Sequence, residues 1–403
     1  MLKQIINIAE EKNVPIFIVG GIIRDLFLKR RHYHLDIDLV IDGNAIAFAN
    51  SIQFLLGGEL SYYSQFGTAT MSINYIQQID FITARKETYP YPGALPLVTQ
   101  SNIYDDLLRR DFTINALAAR LNNIGRSELI DLCSGIRDIK LKTVRTLHAL
   151  SFKDDPTRIL RAVRYEQRYH FQISAKTLEE LNKYKSYLSI ISPHRIKHEF
   201  DRIFTEADSS SIMERLNNLS ILNEIHSALS WNKQHTTCLR NIPANFPEEF
   251  WDVQQNRLFL WLRYVLWLMP YKANFQEIAS RFNLEQSLNK IILSTILLSE
   301  QLTTTEGYSI SEVVELLDKC PPMSIYAYYL ITANNGVKEF LVEYMKRYKK
   351  VAPSLAAKEQ VIKNVKAGAI IGILFNTIRN AWLDGEIKNT QQEMILVKRL
   401  IQK

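Results

Sequence analysis

Strand-like alternation stops near residue 138 of this 403-residue chain. Before that point, short β-branched runs at 15–19, 37–41, 68–73 and 79–83 are interspersed with helical stretches. After it, apolar residues recur only at helical spacing. The pattern predicts an α/β head of ~135 residues and an all-helical remainder, with helices, among others, over 156–171, 176–186, 193–206, 211–222, 255–268, 274–300, 310–318, 324–349 and 368–384. A chain of this length exceeds one compact core, since a domain typically holds ~100–200 residues. The segment 85–100, RKETYPYPGALPLVTQ, carries three prolines and a glycine and reads as a structured but movable loop beside an active site.

Within the head, residues 17–38 read FIVGGIIRDLFLKRRHYHLDID: an apolar strand, a Gly-Gly turn opening a helix over 21–29, and two aspartates at i, i+2. On a strand that spacing points both carboxylates to one face. Asp36 and Asp38 therefore form a pair suited to Mg²⁺, which takes one or two carboxylates and leaves its other positions to water and phosphate oxygens. Taken alone, an Asp-x-Asp is as well read as a solvated strand end. Gly20 and Gly21 open a helix whose free N–H groups favour a phosphate. A metal site and a phosphate site this close in sequence suggest nucleotidyl transfer. Asp80, on a later strand, could complete a carboxylate triad.

Two further clusters carry charge. In DDLLRRDFTINALAAR (105–120) a helix is expected to put Arg109, Arg110 and Asp111 on its surface, with Phe112, Ile114 and Leu117 turned inward. Arginine offers fixed fork donors for triphosphate oxygens, and pairing with Asp105 and Asp106 at i, i+4 can coexist with that role. In SFKDDPTRILRAVRYEQRYHF (151–171) Pro156 reads as the first helical residue and Asp155 as its N-cap. Arg158, Arg161 and Arg164 then fall in one row, a spacing at which like charges repel and which argues against mere surface. Asp155 and Arg158 can also read a base edge. Cytosine and adenine both present an exocyclic amine beside an unprotonated ring nitrogen, whereas uracil and guanine put a carbonyl where that amine would be.

Composition bounds the rest. Hydrophobic residues at 47% and charged residues at 23% are those of a soluble globular protein. The longest apolar run, 258–269, is broken by Arg263 and is shorter than the ~20 residues that span a bilayer, so no membrane segment is expected. The first residues lack an apolar signal core, and Cys133, Cys238 and Cys320 lack metal-ligand spacing, which favours a reducing cytoplasm. The net charge of +7 is unevenly placed: residues 136–220 carry a surplus of five Lys/Arg and residues 341–403 a surplus of seven, leaving the remainder acidic. Two basic zones suggest an extended polyanion that touches the chain twice, and a solvated surface is the plainer alternative.

Together VGGIIRD with DID, FGTA (66–69), DFITAR, PGALP (92–96), RRDFTINAL, DDPTRILRAVRYEQR and AWLDGEIKN (381–389) resemble the class II tRNA nucleotidyltransferases and bacterial poly(A) polymerases. The resemblance covers most of the chain and is weakest between about 225 and 365. It implies an α+β fold: a polymerase-β-like nucleotidyltransferase head (1–137), then an all-helical neck (138–222), body (223–340) and tail (341–403). It implies Asp36 and Asp38 as metal carboxylates. It places Gly20, Gly21, Arg24, Arg110, Asp111 and Asn115 in the triphosphate region. Asp155 and Arg158 match the base-reading pair of the family's Glu-Asp-x-x-Arg motif. The expected activity is Mg²⁺-dependent addition or repair of the tRNA 3′-CCA from CTP and ATP without a template. The alternatives are CC-only or A-only addition beside a second nucleotidyltransferase, a poly(A) polymerase and, more remotely, a small-molecule nucleotidyltransferase. Three positions depart from the family pattern. Asp154 stands for the motif's Glu, His194 precedes Arg195 where a Glu is usual, and 367–369 reads Ala-Gly-Ala where the tail usually has Gly-Pro.

Overall fold

A computed structural model describes residues 1–30, 36–73, 77–123, 128–245, 247–253, 257–365 and 368–402, without the side chains of residues 36, 73, 77 and 369. The chain divides into two compact units, Met1–Ser230 and Trp231–Lys403.

The first unit begins with α1 (Leu2–Glu11), β1 (Ile16–Val19), α2 (Gly21–Phe27), β2 (Asp36–Ile41), α3 (Ala45–Leu56), β3 (Glu59–Tyr63), β4 (Thr68–Ile73) and β5 (Gln77–Thr83). A short antiparallel ribbon of β6 (Arg85–Thr88) and β7 (Leu97–Gln100) follows, then α4 (Ile103–Leu108), β8 (Leu117–Arg120), β9 (Leu129–Asp131) and α5 (Gly135–Lys140). Seven strands form one mixed sheet in the order β3-β4-β5-β2-β1-β8-β9, with β2 and β5 parallel and the other pairs antiparallel. Alternation sorts the residues of β2. Leu39 and Ile41 join Phe48, Ile52, Ile79 and Phe81 beneath α1 and α3, whereas Val40 packs with Phe17, Ile103 and Leu107 on the opposite face. Asp38 shares the face of Val40 because its spacing is i, i+2.

The mostly helical part of this unit holds β10 (Thr143–Val144), α6 (Ser151–Asp154), α7 (Thr157–Tyr169), β11 (Gln172–Ile173), α8 (Ala175–Tyr184), α9 (Pro193–Thr205), α10 (Ser209–Asn218) and α11 (Ile221–Ile225). The parallel β10–β11 pair corrects the expectation that strands end near 138. Two residues each are too few to leave a period-2 signature.

The second unit holds ten α-helices among its described residues: α12 (Lys233–Arg240), α13 (Leu258–Leu268), α14 (Phe275–Arg281), α15 (Gln286–Gln301), α16 (Ile310–Asp318), α17 (Pro322–Ile331), α18 (Asn335–Lys346), α19 (Leu355–Asn364), α20 (Ala369–Leu383) and α21 (Thr390–Ile401). The continuous helices expected over 274–300 and 324–349 are each two. Asn283 takes a left-handed φ of 45° between α14 and α15, and Asn334 caps α18 by accepting from the Val337 N–H. No helix among the described residues is long and apolar enough to cross a membrane.

Candidate active site

A cavity of about 610 Å³ in the first unit is lined by residues from every charged cluster read from the sequence: Gly20, Gly21, Arg24, Asp38, Arg110, Asp111, Asn115, Asp155, Arg158 and Arg161. Arg164 and Asp80 are not among its lining residues, and the Asp36 side chain lies outside the described residues.

Asp38 stands beside Asp80 in the parallel β2–β5 register, with both carboxylates on one sheet face. Thr70, across β4–β5, donates its hydroxyl to Asp80 Oδ1 at 2.5 Å. This all-oxygen donor set suits a hard divalent cation that also keeps water or phosphate oxygens. No group of three or more His, Cys, Asp or Glu side chains disposed to hold a metal occurs among the described residues. An ion of this kind, needing only one or two carboxylates, does not demand one.

The glycine turn is required by the backbone, whose positive φ at Gly20 disfavours any side chain. Gly20 has φ +69°, and a Cβ there would lie 2.8 Å from Nη1 of Arg110. Arg24, on α2, is buried and tied in its own plane: Nε and Nη2 donate to Asp25 at 2.9 and 3.1 Å, and Nη1 donates to Asn115 Oδ1. A guanidinium has five N–H donors, so two remain for an anion.

The second cluster differs from expectation. The helix expected to carry Arg109 to Asp111 ends at Leu108, a 3₁₀ turn spans Thr113–Asn115, and Asp111 is buried rather than on the surface. Asp106, with no exposure at all, is the pivot. Its Oδ1 takes Arg109 at 2.7 Å and its Oδ2 takes Arg110 at 3.0 Å. Burial alone would raise its pKa, but Arg110 and then Arg109 overcome that and hold it below the usual value. Burial likewise opposes ionisation of Asp111, yet Arg161 at 2.5 Å, the Asn115 amide at 2.9 Å and Arg158 bring its pKa down to about 2.

α7 starts at Thr157, with Pro156 as its N-cap, one residue later than the sequence reading placed it. The Asp155 carboxylate nevertheless caps: Oδ1 accepts from Thr157 N at 3.0 Å and Thr157 Oγ1 at 2.6 Å. The same oxygen takes Arg195 Nη2 at 2.6 Å, so Oδ2 carries none of these bonds. Arg158 is buried and donates to Ser151 Oγ (2.7 Å), the Arg109 carbonyl (2.8 Å) and Tyr89 Oη (3.4 Å). Arg164 points elsewhere in the row, toward Glu206 at 3.4 Å and Glu199 at 3.7 Å. These acidic partners, with Asp111 for Arg161, offset the repulsion expected of three arginines in a row.

Segment 85–100 is a hairpin ribbon rather than a loop, and it contributes Glu87, Tyr89 and Pro96 to the cavity. Its tip is held at both polar groups of Gly93. The N–H donates to the Asp154 carbonyl at 3.3 Å, and the C=O accepts from Arg195 Nη1 at 2.8 Å. Gly93 has φ +72°, and a Cβ would meet Ile191 Cδ1 at 2.9 Å. The sequence reading assigned no site role to Tyr89, Tyr165 or Arg202, which also line the cavity. The proline-rich segment marked Tyr89 in outline, and Arg202 follows Arg195 by two turns of one helix.

Residues 16–145 match the family model described as the poly A polymerase head domain, and residues 170–231 match the probable RNA and SrmB-binding site of polymerase A. The A-adding tRNA nucleotidyltransferase of Halalkalibacterium halodurans is 27% identical over 398 residues, covering 98% of this chain and 90% of that one. That of Geobacter sulfurreducens is 38% identical over 232 residues, 57% of this chain, and the match spans only 26% of that larger relative. A solved CCA-adding enzyme in an apo form superposes with a TM-score of 0.80 at 30% identity, covering 99% of this chain and 94% of the other. With the paired strand carboxylates, the arginine-lined cavity and these likenesses on one chain, the protein belongs to the tRNA nucleotidyltransferase family, whose head is that of the poly(A) polymerases.

Proposed function

We propose that the chain builds or repairs the 3′-CCA of tRNA from CTP and ATP in the cytoplasm, with Mg²⁺ as cofactor. The carrying observation is that one cavity gathers the strand carboxylate Asp38, arginines with uncommitted donors, and the Asp155/Arg158 pair. Arg24 and Arg110 each commit three of five N–H donors to protein acceptors, leaving two apiece for triphosphate oxygens. Asp111 and Asn115 hold these arginines and Arg161 in place, and Gly20 and Gly21 leave room for the phosphates. Asp155 Oδ2 accepts from the amine of cytosine or adenine, while Arg158 donates to the neighbouring ring nitrogen. Asp36 and Asp38, with Asp80 beside them, would hold the divalent ion. When bound, it would supply positive charge that favours a terminal ribose oxygen attacking the α-phosphate and the departure of pyrophosphate.

The basic zones support tRNA as the polymer, held by shape and phosphate rather than by base edges. On this reading residues 1–137 form the catalytic head, 138–222 the base-reading neck, 223–340 the body and 341–403 an RNA-binding tail. A-only addition beside a second enzyme is the alternative, favoured by the names of the Halalkalibacterium and Geobacter relatives. Incubating tRNA lacking CCA, CC-ended tRNA and an unrelated RNA with each NTP alone and mixed, then sequencing the 3′ ends, separates the readings. Full CCA on the first substrate supports the proposal. Extension of the CC-ended tRNA alone supports A-only addition, and equal extension of the unrelated RNA overturns both.

A further inference from the structure

Tyr169, the last residue of α7, is buried, yet its hydroxyl has no hydrogen-bond partner. A buried tyrosine ordinarily uses that group, so the ring rather than the hydroxyl accounts for the contacts here. The Arg24 guanidinium lies 4.6 Å from the centre of the Tyr169 ring, and Arg30 lies 4.7 Å from it. Arg30 is anchored by a bond from Nη2 to the Arg168 carbonyl at 3.0 Å. Tyr165 stacks on Tyr169 with ring centres 5.9 Å apart and planes 21° apart, and it lies 5.5 Å from Arg24 while lining the cavity. Asp25 and Asn115 bond Arg24 at its edges, and the Tyr169 and Tyr165 rings lie near it.

We propose that Tyr169 is a positioning residue for the reaction, holding the Arg24 guanidinium by a cation–π contact so that its two uncommitted N–H groups meet the triphosphate. The proposal rests on the reading of Arg24 as a phosphate ligand. It makes the end of α7 part of phosphate binding, although Tyr169 does not itself line the cavity. Burial pushes the Tyr169 hydroxyl up to about 12, so the ring faces Arg24 as a neutral phenol at any working pH.

The test is a double-mutant cycle on the full chain, reading KM for ATP and CTP, inhibition by pyrophosphate, kcat and Tm. Tyr169→Leu is expected to raise KM and the pyrophosphate inhibition constant about tenfold, within the usual range for a desolvated cation–π contact, with kcat within about twofold. Tyr169→Phe is expected to stay near the parent because the hydroxyl has no partner. In an Arg24→Gln background, Tyr169→Leu should add no further change in KM. Equal effects in both backgrounds, or a loss of Tm alone, overturn the proposal. An unchanged KM in Arg24→Gln instead overturns the phosphate reading of Arg24. Stepwise fluorination of a phenylalanine at 169 keeps size while weakening the negative ring face. KM should climb with each fluorine, and a flat series overturns the proposal even where Tyr169→Leu fails to fold.

Discussion

The two units handle charge in opposite ways. In the first, carboxylates sit inside the protein between guanidinium groups: Asp106 and Asp111 are buried, as are Arg24, Arg158 and Arg164. In the second, most pairs lie at the surface, such as Lys319–Glu315 at 67% exposure on both sides and Lys272–Glu300 at 62% and 48%. Its interior is held instead by apolar and aromatic packing, including Trp251 against Tyr326 and Tyr329. Glu393 is the exception, fully buried and taking the Ser354 N–H and the Trp382 indole N–H. An exposed pair is screened and mobile and contributes little. A buried lattice of alternating charges has few alternative arrangements, and that rigidity lets a site present N–H groups at fixed places. Among the described residues, the first unit thus gathers its buried charge pairs around the cavity, whereas most pairs of the second lie at the surface.

The sharpest way to break this contrast is Asp38→Ala. We expect incorporation to fall by more than about a hundredfold, beyond the 10–100-fold typical of losing only an outer partner of a metal ligand, with Tm nearly unchanged. Near-normal turnover at saturating Mg²⁺ would remove Asp38 from the reaction.

Asp106→Ala takes the shared, fully buried counter-charge from the half-buried Arg109 and Arg110, leaving Arg109 only Glu87 at 2.9 Å. We expect about 3–5 kcal/mol of destabilisation, the cost of breaking a buried pair from one side, read by denaturant melts. Acid titration of the parent sharpens the point through Asp111. Its folded pKa of about 2 lies below the unfolded value near 4, so its contribution is complete above about pH 4 and fades as pH falls from 4 toward 2. The expected loss is on the order of 2 kcal/mol. Asp111→Asn should flatten that part of the acid limb, and an unchanged limb would place the titration elsewhere.

At the small end, Glu315→Ala in the second unit should move stability by less than about 0.5 kcal/mol. A shift comparable to that of Asp106→Ala would erase the difference between the units.

What was legible in the sequence tracks how local each interaction is. The Asp36/Asp38 spacing and the Gly20-Gly21 turn are features of adjacent residues, and the strands around them fall within two residues of expectation. Asp106 reads as one half of an ordinary i, i+4 pair. Only its zero exposure turns it into a pivot for two arginines. The partners of Arg161 and Arg164 stand 50 and 42 residues away, at Asp111 and Glu206, and no window along the chain brings them together. The β6–β7 ribbon escaped notice because four-residue strands flanking three prolines show no clear period. α19 and α21 fall in the stretch read as all-helical, though the sequence reading set no bounds for them.

The grip on the ribbon tip has a consequence for how such a chain can change over generations. Because Asp154 and Arg195 take hold of Gly93 by its peptide groups, the hold is blind to the side chains around it. Residues 90–92 and 94–95 can drift without loosening it, provided position 93 can still adopt a φ of +72°. Two family members could share this fastening while their ribbon tips, compared letter by letter, look unrelated.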